Sequence, residues 1–220
     1  DGVLGAGFTK LLAAEGYKVY AASRTIDPFV VEGAVSVALD VTDDDSIAEV
    51  VSQIRREDGH LDLLINNAGL NKDTATSNQK ELVSKLSELD RDMLLEMFNV
   101  NAVSPLMVTK ACIEIMTEPD AFVVNIASDR ASFSDDGGET ANYGYRASKV
   151  ALRMETQALL TDLPDNVSAF SVHPGSVLTD MNPEGDISPE ESAASIVGIL
   201  DSWKSALNGQ FLQRDGRIYE

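Results

Sequence analysis

Gly2-Val3-Leu4-Gly5-Ala6-Gly7 runs directly into Phe8-Thr9-Lys10-Leu11-Leu12, and this opening decides the fold. A glycine-rich turn ahead of a helix lets main chain approach a pyrophosphate, whose charge meets the unpaired amides of the helix N-terminus. The strand that should precede such a turn would lie upstream of Asp1. In a doubly wound sheet that first strand is central. Without it two neighbouring strands lose a ladder, each buried unpaired group costing ~1–3 kcal/mol. A first strand missing from these 220 residues is therefore expected, within roughly ten further residues.

Downstream, short β-rich runs alternate with amphipathic stretches. Strands are expected at 18–22, 35–39, 61–65, 121–126, 167–172 and 209–213, and helices at 8–15, 46–56, 91–117, 145–162 and 189–203. The last helix opens on Ser188, Pro189 and Glu191, an N-cap, an N1 proline and a capping-box acid in register. The pattern is that of an α/β protein with a doubly wound, Rossmann-type parallel sheet flanked by helices. No Pro/Gly/Ser-rich stretch, charge block or repeat divides the chain, so residues 1–220 are read as one dinucleotide-binding domain.

Lys and Arg number 17 against 36 Asp and Glu, a net charge of −19. Such a surface repels phosphate backbones and anionic lipids, so neither a nucleic-acid nor a membrane partner is expected. No run reaches the ~20 apolar residues of a membrane span, and Asp1-Gly2-Val3 lacks the basic flank of a signal peptide. Cys112 is the single cysteine and lies in an apolar stretch, which reads as a buried structural thiol in a reducing cytoplasm. Two histidines, His60 and His173, and no Cys/His cluster predict no catalytic metal.

Tyr145-Arg146-Ala147-Ser148-Lys149 carries the chemistry. Residues i and i+4 share a helix face, which sets the Lys149 ammonium one turn from the Tyr145 phenol. A free phenol, with a pKa near ~10, is a poor acid at neutral pH; a nearby positive charge favours the phenolate and is expected to bring Tyr145 towards working pH. Tyr143 has Ala147 four residues on and cannot do this. Taken singly, such a pentapeptide is usually no more than a solvated helix face.

Further motifs stand in order around it. Asn66-Asn67-Ala68-Gly69 follows the strand at 61–65, Asn99-Val100-Asn101-Ala102 lies in the helix at 91–117, Asn125-Ile126-Ala127-Ser128 closes the strand at 121–126, and Pro174-Gly175-Ser176-Val177-Leu178-Thr179 follows the strand at 167–172. The ordered set resembles the classical short-chain dehydrogenase/reductase family from the first residues to the last strand. The resemblance implies Asn101, Ser128, Tyr145 and Lys149 as catalytic residues, with Lys149 also bonding the nicotinamide ribose and Asn101 positioning a water between Lys149 and solvent. It implies a dinucleotide held by Gly2, Leu4, Gly5, Ser23, Arg24, Asp40, Val41, Asn67, Ala68, Gly69, Tyr145, Lys149, Pro174, Gly175, Val177 and Thr179. Asp40-Val41 would meet the adenine and 174–179 the carboxamide. A homodimer or homotetramer, with interface helices at 145–162 and 189–203, is a further implication.

Hydride transfer to a carbonyl carbon builds negative charge on oxygen, which needs a hydrogen-bond donor and an acid. Ser128 and Tyr145 supply those types. The end of the second strand, Ala21-Ala22-Ser23-Arg24, carries no acid to accept from a ribose 2′-hydroxyl and one guanidinium able to pair with phosphate, which favours NADP(H) over NAD. The expected activity is an NADP(H)-dependent interconversion of a small carbonyl substrate and its alcohol. The alternative is a non-catalytic dinucleotide-binding sensor or scaffold, for which a proton relay would be superfluous.

Two departures from the family pattern stand out. Gly2 and Gly5 are separated by two residues where one is usual, and only residues 180–187 separate Thr179 from the capped helix, too few for a substrate lid. The short segment, with Gly209-Gln210-Phe211-Leu212 and Asp215-Gly216 near the end, resembles the carbonyl-reductase-like branch and implies an open pocket. The segment 129–142 would border substrate; Asp129, Asp135, Asp136 and Glu139, with Gly137-Gly138, read either as a solvated loop or as a site for a cationic substrate.

Overall fold

The computed structural model describes residues 2–25, 31–71, 85–134, 141–179 and 182–219. Asp135, Asp136, Gly137, Gly138 and Glu139 of the acidic segment lie outside the described residues. In chain order come α1 (Val3–Ala14), β1 (Val19–Ser23), β2 (Ala34–Ala38), α2 (Asp44–Glu57), β3 (Leu63–Asn66), α3 (Arg91–Phe98), α4 (Ser104–Cys112), β4 (Ala121–Ile126), α5 (Tyr143–Leu159), β5 (Val167–His173), α6 (Pro189–Asp201) and β6 (Phe211–Gln213).

Every ladder is parallel. β3, β4, β5 and β6 form one four-stranded sheet in that order, β1 and β2 pair separately, and no ladder joins the two among the described residues. Side chains alternate in β4 and β5, and both faces are buried. Val124, Ile126, Phe170 and Val172 pack with Leu4, Phe8 and Leu12 of α1 and Ala193, Ile196 and Val197 of α6. On the other face Ala121, Val123, Val167 and Ala169 meet Ile47, Val51 and Ile54 of α2 and Val108 and Cys112 of α4. Burial on both sides is why these strands read as nearly continuous apolar runs. Val19 of β1 and Leu63 and Ile65 of β3 pack against the first of these clusters.

Local rules account for most helix ends. Asp43 caps α2, accepting from the amides of Asp45 at 2.9 Å and Ser46 at 3.1 Å, and Ser188 caps α6 through the amide of Glu191 at 3.1 Å. Two helices differ from expectation. α1 begins at Val3, so residues 3–7 form helix where the sequence reads as a turn. Its glycines are kept by close packing, for a Cβ on Gly7 would stand 2.8 Å from the carbonyl oxygen of Pro189. The helix expected over 91–117 is broken: α3 ends at Phe98, residues Asn99–Val103 make a π-helical turn, and α4 closes in a 3-10 turn at Ile113–Ile115. The apolar face of α6 is spent within the subunit, on α1 and the sheet. Among the described residues no helix is long and apolar enough to cross a membrane.

Candidate active site

The C-terminal ends of β3 and β4 carry a buried polar pair in register, Asn66 beside Asn125. Asn66 Nδ2 donates to Asn125 Oδ1 at 2.8 Å, and Asn125 Nδ2 donates to Thr156 Oγ1 of α5 at 2.8 Å. Thr156 in turn donates to the carbonyl of Leu152 at 2.7 Å. Amides buried in this way cost stability unless satisfied, and a satisfied chain fixes strand against strand and helix against sheet.

α5 also carries Tyr145, Ser148 and Lys149. It starts at Asn142, a left-handed N-cap with φ 42°, 4% exposed, whose side-chain oxygen has no hydrogen-bond partner among the described residues. Lys149 is buried, and its Nζ donates to the carbonyl of Ile126 at 2.7 Å. Burial pulls its pKa down to about 8 from the usual 10.5. Its Nζ lies 5.9 Å from the Tyr145 ring centre.

The π-helical turn delivers Asn101, which is fully buried. Such turns widen the helical ladder and recur at functional sites. Asn101 Oδ1 accepts from the amide of Leu70 at 2.7 Å, while Nδ2 donates to the carbonyl of Leu70 at 2.8 Å and to Ser148 Oγ at 2.9 Å. Ser148 Oγ donates to the Tyr145 carbonyl at 2.9 Å. Both amide hydrogens of Asn101 are thus committed to protein, leaving only the second lone pair of Oδ1 for a water. Oδ1 and Lys149 Nζ each lie 3.6 Å from where a Cβ on Gly69 would stand, so the space above Gly69 is common to both.

Ser128 leaves β4 and caps a 3-10 turn, Asp129–Ala131. Its hydroxyl donates to Asp129 Oδ1 at 2.8 Å and accepts from the amide of Arg130 at 3.2 Å, and it stands near enough to Tyr145 to favour the phenolate. The amide of Asp129 donates to His173 Nδ1 at 3.0 Å. His173 is therefore a packed strand-end residue, its pKa lowered first by burial and against that raised by Asp129, with its ring edge-on to Tyr219.

The phenol corrects one expectation. Burial is the leading influence on Tyr145 and raises its pKa; Ser128 opposes that, Asp129 adds to it and Arg130 works against it. Lys149 Nζ, 5.9 Å from the ring centre, is bound to the Ile126 carbonyl. Desolvation of the phenolate outweighs the influences that favour it.

The residues expected to hold a dinucleotide divide into two groups. At one end, Gly2 is the extended N-cap of α1, and no side chain among the described residues caps it. The Leu4 side chain enters the core, so only its main chain remains. A Cβ on Gly5 would stand 2.9 Å from Asn67 Nδ2, which fixes Asn67 against this turn. Ser23 ends β1 and bonds the Thr25 carbonyl. Arg24 is exposed and close enough to Asp40 to help lower its pKa, although the hydrogen bonds from Thr42 do more. Val41 packs under α2. At the other end, Ala68 and Gly69 are exposed beside Lys149. Gly175 needs its φ of 86°, Val177 bridges to Ile187, and Thr179 pairs with Asn182. Residues 182–187 lie back against 176–179, and a Cβ on Gly185 would collide with the Val177 main chain. Pro174 is anchored by Ser192 Oγ at 2.7 Å. Among the described residues no group of three His, Cys, Asp or Glu side chains is placed to hold a metal.

Ser148 and Thr156 escape a reading by sequence. Ser148 stands in the Tyr-to-Lys pentapeptide but shows its role only when Asn101 arrives from 47 residues away.

The family model for short chain dehydrogenases matches residues 1–188. Cyclopentanol dehydrogenase of Comamonas is 32% identical over 213 residues, covering 90% of this chain and 78% of that protein. The 1-hydroxy-2-glutathionyl-2-methyl-3-butene dehydrogenase of Rhodococcus is 26% identical, covering 94% and 84%. In fold, the chain is similar to the NADPH-bound carbonyl reductase from chicken fatty liver, with a TM-score of 0.86 at 23% identity over 99% of this chain and 94% of that one. The carbonyl reductase Sniffer of Drosophila melanogaster is similar to the same degree, with a TM-score of 0.86 at 24% identity over 99% and 94%. The match over 1–188, together with a relative at 32% identity, places this chain in the short-chain dehydrogenase family, as an oxidoreductase.

Proposed function

We propose that the chain is an NADP(H)-dependent oxidoreductase of the carbonyl-reductase-like branch, a single domain over 1–220 that interconverts a carbonyl and an alcohol by hydride transfer. The observation that carries this reading is the meeting of Asn101 and Lys149 beside Gly69, with the Tyr145 ring 5.9 Å from the Lys149 ammonium and Ser128 close enough to the phenol to influence it. The uncapped N-terminus of α1 and the gap above Gly69 fit the phosphates and the ribose of a dinucleotide, and Arg24 suits a 2′-phosphate. Bound cofactor supplies the hydride.

The protein's own groups do the rest. Tyr145 gives its phenolic proton to the oxygen on which charge develops, and Ser128, close enough to influence that phenol, donates to the same oxygen. Lys149, with its pKa brought down to about 8, is near enough to neutrality to exchange a proton with its surroundings. Asn101 ties the Leu70 main chain to Ser148 and so keeps the turn after β3 against α5.

The test is a fluorescence titration with NADPH and with NADH, followed by NADPH consumption over a panel of aldehydes and ketones. Tighter NADPH binding that weakens about tenfold or more in Arg24→Ala supports the reading, a charge-assisted pair being worth that much. Equal binding of both cofactors removes the NADP(H) preference, and binding of neither removes the enzyme.

A further inference from the structure

Ser128 has one proton, and the structure directs it at Asp129: Oγ donates to Oδ1 at 2.8 Å. A carboxylate only accepts, so the direction is fixed. The one side-chain proton that Ser128 could give a substrate oxygen is thus engaged by Asp129. Asp129 is also firmly placed, contrary to a freely solvated loop. Its Oδ1 accepts from the amide of Arg130 at 2.8 Å, and its own amide is held by His173 at 3.0 Å. The side chain is nonetheless 42% exposed, within reach of a substrate at Ser128.

We propose that Asp129 is a specificity-determining residue that favours carbonyl substrates bearing a hydrogen-bond donor, a hydroxyl or a protonated amine, on the carbon next to the carbonyl. When the substrate oxygen takes the Ser128 proton, Asp129 Oδ1 loses its side-chain partner. A donor on the neighbouring carbon lies about one hydrogen-bond length from the carbonyl oxygen, as Asp129 Oδ1 does from Ser128 Oγ, and replaces what was lost. A plain ketone offers no such donor and leaves the carboxylate the Arg130 amide and solvent, a weaker set of partners than one with a substrate donor in the place of Ser128. This inference rests on the oxidoreductase reading above.

The experiment takes a methyl ketone that the enzyme reduces, together with its α-hydroxy analogue, and measures kcat/KM for each with wild type, Asp129→Ala and Asp129→Asn. Intrinsic carbonyl reactivity cancels in the change of the ratio between proteins. The hydroxy-to-plain ratio should fall about tenfold in Asp129→Ala and by less in Asp129→Asn, which retains an acceptor oxygen. NADPH affinity within about twofold of wild type, far less than the tenfold worth of one charge-assisted hydrogen bond, reports an intact fold in each variant. A merely structural role would lower both substrates together and leave the ratio, and a ratio the same in all three proteins overturns the proposal. Failure of wild type to reduce any carbonyl instead overturns the oxidoreductase reading, and the proposal with it.

Discussion

Replacing Asn101 by alanine should destabilise the protein by about 2–4 kcal/mol. The side chain is fully buried and makes three hydrogen bonds, two to the main chain of Leu70 and one to Ser148. Its loss leaves the Leu70 N–H and C=O without partners. A buried orphan costs ~1–3 kcal/mol, but Leu70 is only half-buried and water recovers part, so about 1 kcal/mol each is the working value. The cavity and the lost Ser148 bond add roughly another 1 kcal/mol. Against a net stability of ~5–15 kcal/mol this is a large fraction. Urea unfolding followed by circular dichroism measures it, with an unchanged slope marking an unchanged unfolded state. Asn101→Asp has the same shape and keeps the acceptor for the Leu70 amide, but sets a carboxylate against the Leu70 carbonyl; it should lose at least as much as alanine. A loss below about 1 kcal/mol for alanine, or none for aspartate, would refute the assignment of these bonds.

Lys149 makes stability depend on pH. Its folded pKa, about 8, lies below the unfolded 10.5, so between those values the unfolded chain binds the extra proton and stability rises with pH. The difference in stability between wild type and Lys149→Met should therefore climb from pH 8 to 10.5, and a difference that is flat over that window would show the ammonium is not desolvated. Two glycines should respond with opposite signs. Gly7→Ala forces a Cβ to 2.8 Å from the Pro189 oxygen, parting α1 from α6 at a cost of ~1–3 kcal/mol that exceeds the gain in helix propensity. Gly198→Ala in α6 meets nothing within 4 Å and should raise the melting temperature, by up to ~1 kcal/mol of stability. Equal shifts in thermal melts of the two variants would contradict the packing of α1 on α6.

The strands were legible because both faces of β4 and β5 are covered, so Ala121 to Ile126 reads as one apolar run with a single polar residue, Asn125. α6 was legible from its cap, since Ser188 and Glu191 act within one turn. α1 was not: three glycines signal a turn unless it is known that Pro189 presses on Gly7 and Asn67 on Gly5, contacts made 182 and 62 residues away. The break in the helix over 91–117 was equally hidden, because nothing in Asn99-Val100-Asn101 announces that Leu70 will take the Asn101 amide. Of the motif residues, Asn101 and Lys149 meet beside Gly69. The electrostatics of the site were not legible: one turn of helix sets Lys149 near Tyr145, yet the ammonium turns to the Ile126 carbonyl and burial governs the phenol. Asp129 reads as a solvated loop acid or as part of a site for a cationic substrate, and that His173, 44 residues on, holds its amide is not visible in the sequence.

The most direct test of the account is Tyr145→Phe, assayed for NADPH-dependent carbonyl reduction and, separately, for NADPH binding. Loss of turnover by about 10²–10⁴-fold with cofactor affinity and melting temperature kept is the predicted result, since the phenylalanine preserves the packing and removes only the proton. Turnover at the wild-type rate would contradict it and place the acid elsewhere.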